Sequence, residues 1–147
     1  MNAKGSNKLI KNIVSGILLT TFIVLFAACT KEISFLNSSV VPAAKGSVSI
    51  TTDSNKNYIL KIQVSDLAEV ERLESSKATY VVWMETDKGN FENIGQLKSS
   101  ASFFSKQHQA SLKTASSYKP VKVFITAEND INAQYPDNQI VLSTGKF

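Results

Sequence analysis

Tyr58-Ile59-Leu60-Lys61-Ile62-Gln63-Val64-Ser65 decides the fold class. Tyr58, Leu60, Ile62 and Val64 fall on one face of an extended chain, with Lys61, Gln63 and Ser65 on the other. Successive side chains of a strand point to opposite faces, so this period of two marks a half-buried β-strand. Immediately before it, Asp53-Ser54-Asn55-Lys56-Asn57 has the composition of a turn. Before that turn, Val48 and Ile50 alternate with Ser47, Ser49 and Thr51. The two strands and their turn read as a β-hairpin.

Toward the C-terminus the same texture continues. Residues 66–76 allow two readings, one or two helical turns or a long loop. Leu67, Val70 and Leu73 are three apart, and Asp66 is a candidate N-cap. Thr79-Tyr80-Val81-Val82-Trp83-Met84-Glu85 is dense in β-branched and aromatic residues and apolar on both faces, as in a central strand. Asp87-Lys88-Gly89-Asn90 turns the chain into Phe91–Leu97. Ser102-Phe103-Phe104 and Gln109–Leu112 are weaker strands. Val121, Val123 and Ile125 alternate with Lys122, Phe124 and Thr126, and Gln139–Ser143 is a last strand closed by Gly145. About seven short strands with little helix predict an all-β antiparallel sandwich over residues 47–147.

The N-terminal part has a different character. Lys4, Lys8 and Lys11 precede sixteen residues without a charge, Ile13 to Ala28. A bilayer core about 30 Å thick needs about 20 helical residues to cross it, so this run is short for a permanent span and suits the apolar region of an export signal. It ends in Phe26-Ala27-Ala28-Cys29. Small residues before a cysteine resemble the lipobox of bacterial lipoproteins, although that family usually has Leu where this chain has Phe26. The resemblance implies cleavage of residues 1–28, diacylglyceryl transfer to the Cys29 thiol, acyl chains of the palmitate kind, and a place in the cell envelope. Phe26 also disfavours ordinary signal peptidase, which prefers a small residue there. The competing readings are an uncleaved anchor and a core cysteine. Between Cys29 and the sandwich, residues 29–46 read as a lipidated cysteine and a tether, punctuated by serines, Pro42 and Gly46. Ile33, Phe35 and Leu36 are apolar enough to pack locally, and Val40-Val41 to begin an edge strand.

The leader also explains the charge. The whole chain carries +4, but three of its sixteen basic residues lie in the leader. Thirteen then face twelve acids, a net +1 scattered in both signs, so nucleic acid is not the expected partner. One cysteine and one histidine exclude an internal disulfide and a four-ligand zinc site. No phosphate loop, dinucleotide fingerprint or Cys-x-x-Cys is present, so no cofactor or metal is expected.

The remaining candidates each have a plainer explanation. Glu85 with Asp87, and Glu128 with Asp130, have the spacing of paired carboxylates, but acids beside turns serve solubility and turn formation. His108 lies in a polar stretch, and no Gly-x-Ser-x-Gly elbow surrounds any serine. No catalytic residues are assigned. Trp83 is expected to fill the core between the sheets. Tyr118, Tyr135 and Phe91 would be the aromatics of a carbohydrate or peptidoglycan binder, if they share a concave face.

From about Lys77 to Phe147 the chain resembles the extracytoplasmic C-terminal domain of anti-sigma-K factors. The resemblance rests on Tyr80-Val81-Val82-Trp83, Gly89, Ile94-Gly95-Gln96-Leu97, Phe124-Ile125-Thr126-Ala127-Glu128, Pro136 and Ile140 to Gly145. It implies a β-sandwich with a sensory or interaction role. Only twelve residues precede the apolar run, too few for the sigma-binding domain of those factors, so sigma-factor inhibition is not implied. The expectation is a non-enzymatic, lipid-anchored envelope domain that binds a partner protein.

Overall fold

The structure is a computed structural model that describes residues 30–73, 77–100 and 109–147. The leader, Cys29, Ser102-Phe103-Phe104 and His108 lie outside the described residues. Among the described residues there are nine strands: β1 (Lys31–Ser34), β2 (Lys45–Thr52), β3 (Tyr58–Ser65), β4 (Thr79–Thr86), β5 (Phe91–Gln96), β6 (Lys98–Ser100), β7 (Gln109–Ser116), β8 (Pro120–Glu128) and β9 (Ile140–Ser143). One sheet has the order β1-β2-β3-β7-β6 and the other β5-β4-β8-β9, and every pairing is antiparallel. The molecule is an antiparallel β-sandwich, as the period-two pattern requires.

The predicted hairpin is β2 and β3, with Val48 opposite Ile62 and Ile50 opposite Leu60. Paired residues share a face, so these four side chains enter the core together. Val64 joins them, and Tyr80, Val82, Met84, Val123, Ile125 and Leu142 face them from the second sheet. Burying each such aliphatic side chain contributes about 1.5–3 kcal/mol against exposure. Gly46 is required where β2 meets β3: a Cβ there would lie 2.3 Å from the Gln63 carbonyl oxygen.

The stretch expected as a tether is built into the sandwich. Lys31–Ser34 pairs with Ile50–Ser47, and Val41 and Ala44 are buried in the core. The apolar residues Ile33 and Phe35 pack against that core, and their burial repays ordering a stretch whose serines and proline suggest a spacer. The second additional strand, β6, continues β5 after Leu97, and there the chain passes from one sheet to the other.

Residues 66–73 take the loop reading, with a single 3₁₀ turn at Val70–Arg72. A 3₁₀ helix has three residues per turn, which matches the spacing of Leu67, Val70 and Leu73, all buried. Asp66 does not cap it. That residue has φ +54°, a left-handed turn out of β3.

Strand directions define two ends. The turns 53–57, 87–90 and 117–119 lie at one, with Thr30 and Phe147. The connections 35–44, 66–78 and 129–139 lie at the other. The contact of Lys31 with the Phe147 ring and the bond from Phe147 N–H to the Val121 carbonyl bring both ends of the described chain together.

Candidate functional site

The end formed by the long connections carries a cleft of about 440 Å³. Its walls are residues 39–43 on one side and Asp66, Ala68, Arg72 and Leu73 on the other, with Gln139 between them. Each wall is held from below. The Ser38 hydroxyl donates to the Val141 carbonyl and accepts from the N–H groups of Val40, at 3.1 Å, and Val41, at 2.9 Å. This ties the first wall to β9. Leu67, Val70 and Leu73 sink the second wall into the core, and the Tyr80 hydroxyl donates to the Ala68 carbonyl at 3.0 Å. Burial, with the Glu71 charge as a smaller contribution, pushes the Tyr80 phenol up to about 12. Tyr80 therefore stays a neutral donor throughout the physiological range.

The polar side chains that line the cleft are those of Ser39, Asp66, Arg72 and Gln139. Arg72 forms an exposed ion pair with Glu69 at 2.7 Å. Exposed pairs contribute little to stability, so the guanidinium can exchange Glu69 for another acceptor at small cost. The cleft can hold an extended chain or a side chain by apolar contact and hydrogen bonds. Neither Arg72 nor Gln139 stands in a recognisable motif, and only the fold brings them together.

Beside the cleft, the connection 129–139 lies over the outer face of the second sheet. Trp83 is fully buried there, with Val81 and Phe124, and Ala133 packs against them. This corrects the expected position of Trp83, which is on the face turned away from the intersheet core. The cause is strand parity. Tyr80, Val82 and Met84 take the inner face, so Val81 and Trp83 take the outer one. The indole N–H donates to Thr126 Oγ1 at 2.8 Å, the Thr126 hydroxyl donates to Glu128 Oε1, and Glu128 Oε1 accepts the Asp137 N–H at 2.8 Å. Lys77 Nζ reaches Asp137 Oδ2 at 2.6 Å, and Asn93 Nδ2 donates to the carbonyls of Ile131 and Ala133. The Lys77 hydrogen bond holds the Asp137 carboxyl below the usual carboxylate range.

The paired carboxylates do not converge. Glu85 is engaged by Lys146, while Asp87 is exposed in the β4–β5 turn. Glu128 is buried in the Trp83 network, whereas Asp130 accepts the Asn132 N–H in an exposed turn. Among the described residues no group of three His, Cys, Asp or Glu could hold a metal ion. No described helix is long and apolar enough to cross a membrane.

The three candidate aromatics are exposed: Phe91 52%, Tyr118 49% and Tyr135 85%. They are divided between the ends. Phe91 and Tyr118 follow or occupy turns at the end of Thr30 and Phe147, and Tyr135 lies in the connection beside the cleft. Phe91 meets Phe124 edge to face at 5.6 Å. No known protein family, curated protein or solved structure matches this chain.

Proposed function

We propose that the chain is a lipid-anchored, non-enzymatic β-sandwich of the cell envelope that binds a partner protein through its long connections. The anchoring rests on the basic leader, the sixteen uncharged residues and Ala27-Ala28-Cys29. The binding role rests on one observation. The cleft walled by residues 39–43 and Arg72 lies at the end remote from Thr30, the residue after Cys29. Lipid on Cys29 would therefore leave the cleft open to the envelope space. Two or three acyl chains hold a protein far more firmly than one, since each buried CH₂ contributes about 0.8 kcal/mol. A sensory or interaction role is also what the resemblance to the anti-sigma-K outer domain implies.

Intact mass and membrane fractionation of wild type and Cys29→Ala test the anchor. The expected wild-type product starts at Cys29 with added acyl mass, and the variant leaves the membrane. A full-length unmodified product, or a variant still in the membrane, refutes it. For the binding role, a photocrosslinker at Ala43 should give a discrete adduct with an envelope protein, and one at Lys61 should not. Absence of any adduct at Ala43 counts against it.

A second reading, a carbohydrate or peptidoglycan binder, is favoured by the exposed Phe91 ring supported by Phe124. Co-sedimentation with insoluble peptidoglycan that Phe91→Ala abolishes would support it, and co-sedimentation unaffected by that change would not.

A further inference from the structure

Strand β5 borders the second sheet and pairs with β4 alone. In an antiparallel ladder alternate residues turn their N–H and C=O toward the neighbouring strand, and the residues between them turn theirs away. The Thr86 N–H donates to the Asn90 carbonyl at 2.9 Å. Thr86 and Asn90 are therefore a hydrogen-bonded pair, and the register makes Met84 and Glu92 the next one. Phe91 and Asn93 consequently point their backbone groups outward. Two N–H and two C=O groups lie in a row along this border, and among the described residues no strand pairs with them.

The border on the other side of the sandwich is closed. There the Leu36 N–H donates to the Ser143 carbonyl and Phe35 bridges Thr144, which joins the chain after β1 to β9. Past Leu97 the chain leaves β5 for β6, which pairs with Gln109–Ser111 of β7. The open run of β5 is thus short, from Phe91 to Asn93.

The side chains around this run say what it would accept. Phe91, half exposed, lies on the outer face of the sheet with its ring against Phe124. Ile131, also exposed, is held beside β5 because the Asn93 side-chain amide donates to its carbonyl at 2.9 Å. Between Phe91 and Asn93, strand parity turns Glu92 to the other face, where it is partly exposed. Among the described residues Glu92 makes no hydrogen bond through its side chain and no ion pair. The edge therefore offers apolar surface on one face and a free carboxylate on the other.

We propose that Phe91–Asn93 is a strand-addition edge for an extended segment of a partner protein, in which a lysine or arginine stands between two apolar residues. Main-chain bonds supply the affinity in this mode, and side chains at alternate positions supply the selectivity. The two apolar side chains would lie with Phe91 and Ile131, and the basic one would face Glu92. Residues directly opposite each other have Cβ atoms about 4.5–5.5 Å apart, so opposite charges there attract and like charges repel. That repulsion disfavours a second copy of this chain as the occupant. The antiparallel register that uses all four open groups on each copy places Glu92 opposite Glu92. A charge in the middle of an exposed edge is a known device against self-pairing. Neither the lipid anchor nor the cleft is needed for this edge to act.

The test uses the full chain, purified from a bacterial host, and two end-capped peptides, Thr-Val-Lys-Val-Thr and Thr-Val-Glu-Val-Thr. Amide hydrogen exchange is followed residue by residue with each peptide at the same concentration. The expected result is several-fold slower exchange at the Phe91 and Asn93 amides with the lysine peptide and no change with the glutamate peptide. Glu92→Lys should reverse that preference. The amide of residue 92, which bonds within the β4–β5 ladder, stays slow in every sample and verifies that the variant is folded. Protection by both peptides alike, by neither, or at other amides overturns the proposal. Protection of Phe91 and Asn93 that needs no peptide and grows with protein concentration makes a second copy the occupant and overturns it as well.

Discussion

Thr126 is the residue on which the outer face of the second sheet depends. Its hydroxyl accepts from the Trp83 indole and donates to Glu128, and its own side chain is fully buried. A buried donor left without a partner costs about 1–3 kcal/mol. Thr126→Val keeps the shape of the side chain but strands the indole N–H and removes one donor from Glu128. The expected outcome is a loss of about 1–3 kcal/mol in denaturant unfolding, with the single tryptophan as probe. An unchanged midpoint would show that the network contributes nothing. Thr126 and Glu128, alternating with Ile125 and Ala127, were a visible trace of this network. Their partner was not, because β4 is apolar on both faces and local pattern does not say which one meets the other sheet.

At the scale of elements, the connection 129–139 behaves as a cover with three fastenings: Asn93 to two carbonyls, Asp137 N–H to Glu128, and Lys77 to Asp137. Lys77 holds the Asp137 carboxyl below its ordinary value. A carboxylate whose pKa is lower in the folded state stabilises above its unfolded pKa, near 3.9, and loses that contribution as pH falls through the folded value. The cover should therefore loosen only as pH falls below about 4, the unfolded carboxylate value, and not at neutral pH. Trp83 emission should report it as a red shift preceding global unfolding, and Lys77→Met should abolish that separate step. A step that survives in Lys77→Met would assign the acid transition elsewhere. Pro136 and the turn-forming Asp130 and Asn132 mark this stretch as irregular in the sequence. What they could not convey is that it folds back over the sheet, since that depends on contacts with Asn93 and Lys77, some forty and sixty residues away.

For the molecule as a whole, β1 is the seam. Phe35 N–H donates to the Gly46 carbonyl of the first sheet at 3.0 Å, and Leu36 N–H donates to the Ser143 carbonyl of the second at 2.9 Å. One step along the chain moves the backbone from one sheet to the other, and Phe35 bridges Thr144. At the opposite edge β5 runs into β6. The chain thus links the sheets at both edges, which limits the unpaired backbone available to other chains. Slow hydrogen exchange at the Phe35 and Leu36 amides, comparable to β2, is expected. Exchange at the rate of a free peptide would return these residues to the tether. The seam also fixes how little chain separates Cys29 from the sandwich.

Period-two alternation at Tyr58–Val64, turn residues at 53–57 and 87–90, and the apolar density of Thr79–Met84 were enough to establish an antiparallel β-sandwich, because side-chain parity in a strand is a local property. The expected export signal and lipid site are likewise local, carried by consecutive residues from Lys4 to Cys29. The tertiary structure decided everything that depends on partners distant in the chain. Residues 31–34 became a strand because Ile33 and Phe35 found a core to cover, and Trp83 turned outward because Val82 and Met84 took the inside. Arg72 and Gln139 met at one cleft. The alternation says how a strand divides its side chains. Which half meets the other sheet, and which residues become neighbours there, is set only when the sheets close on each other.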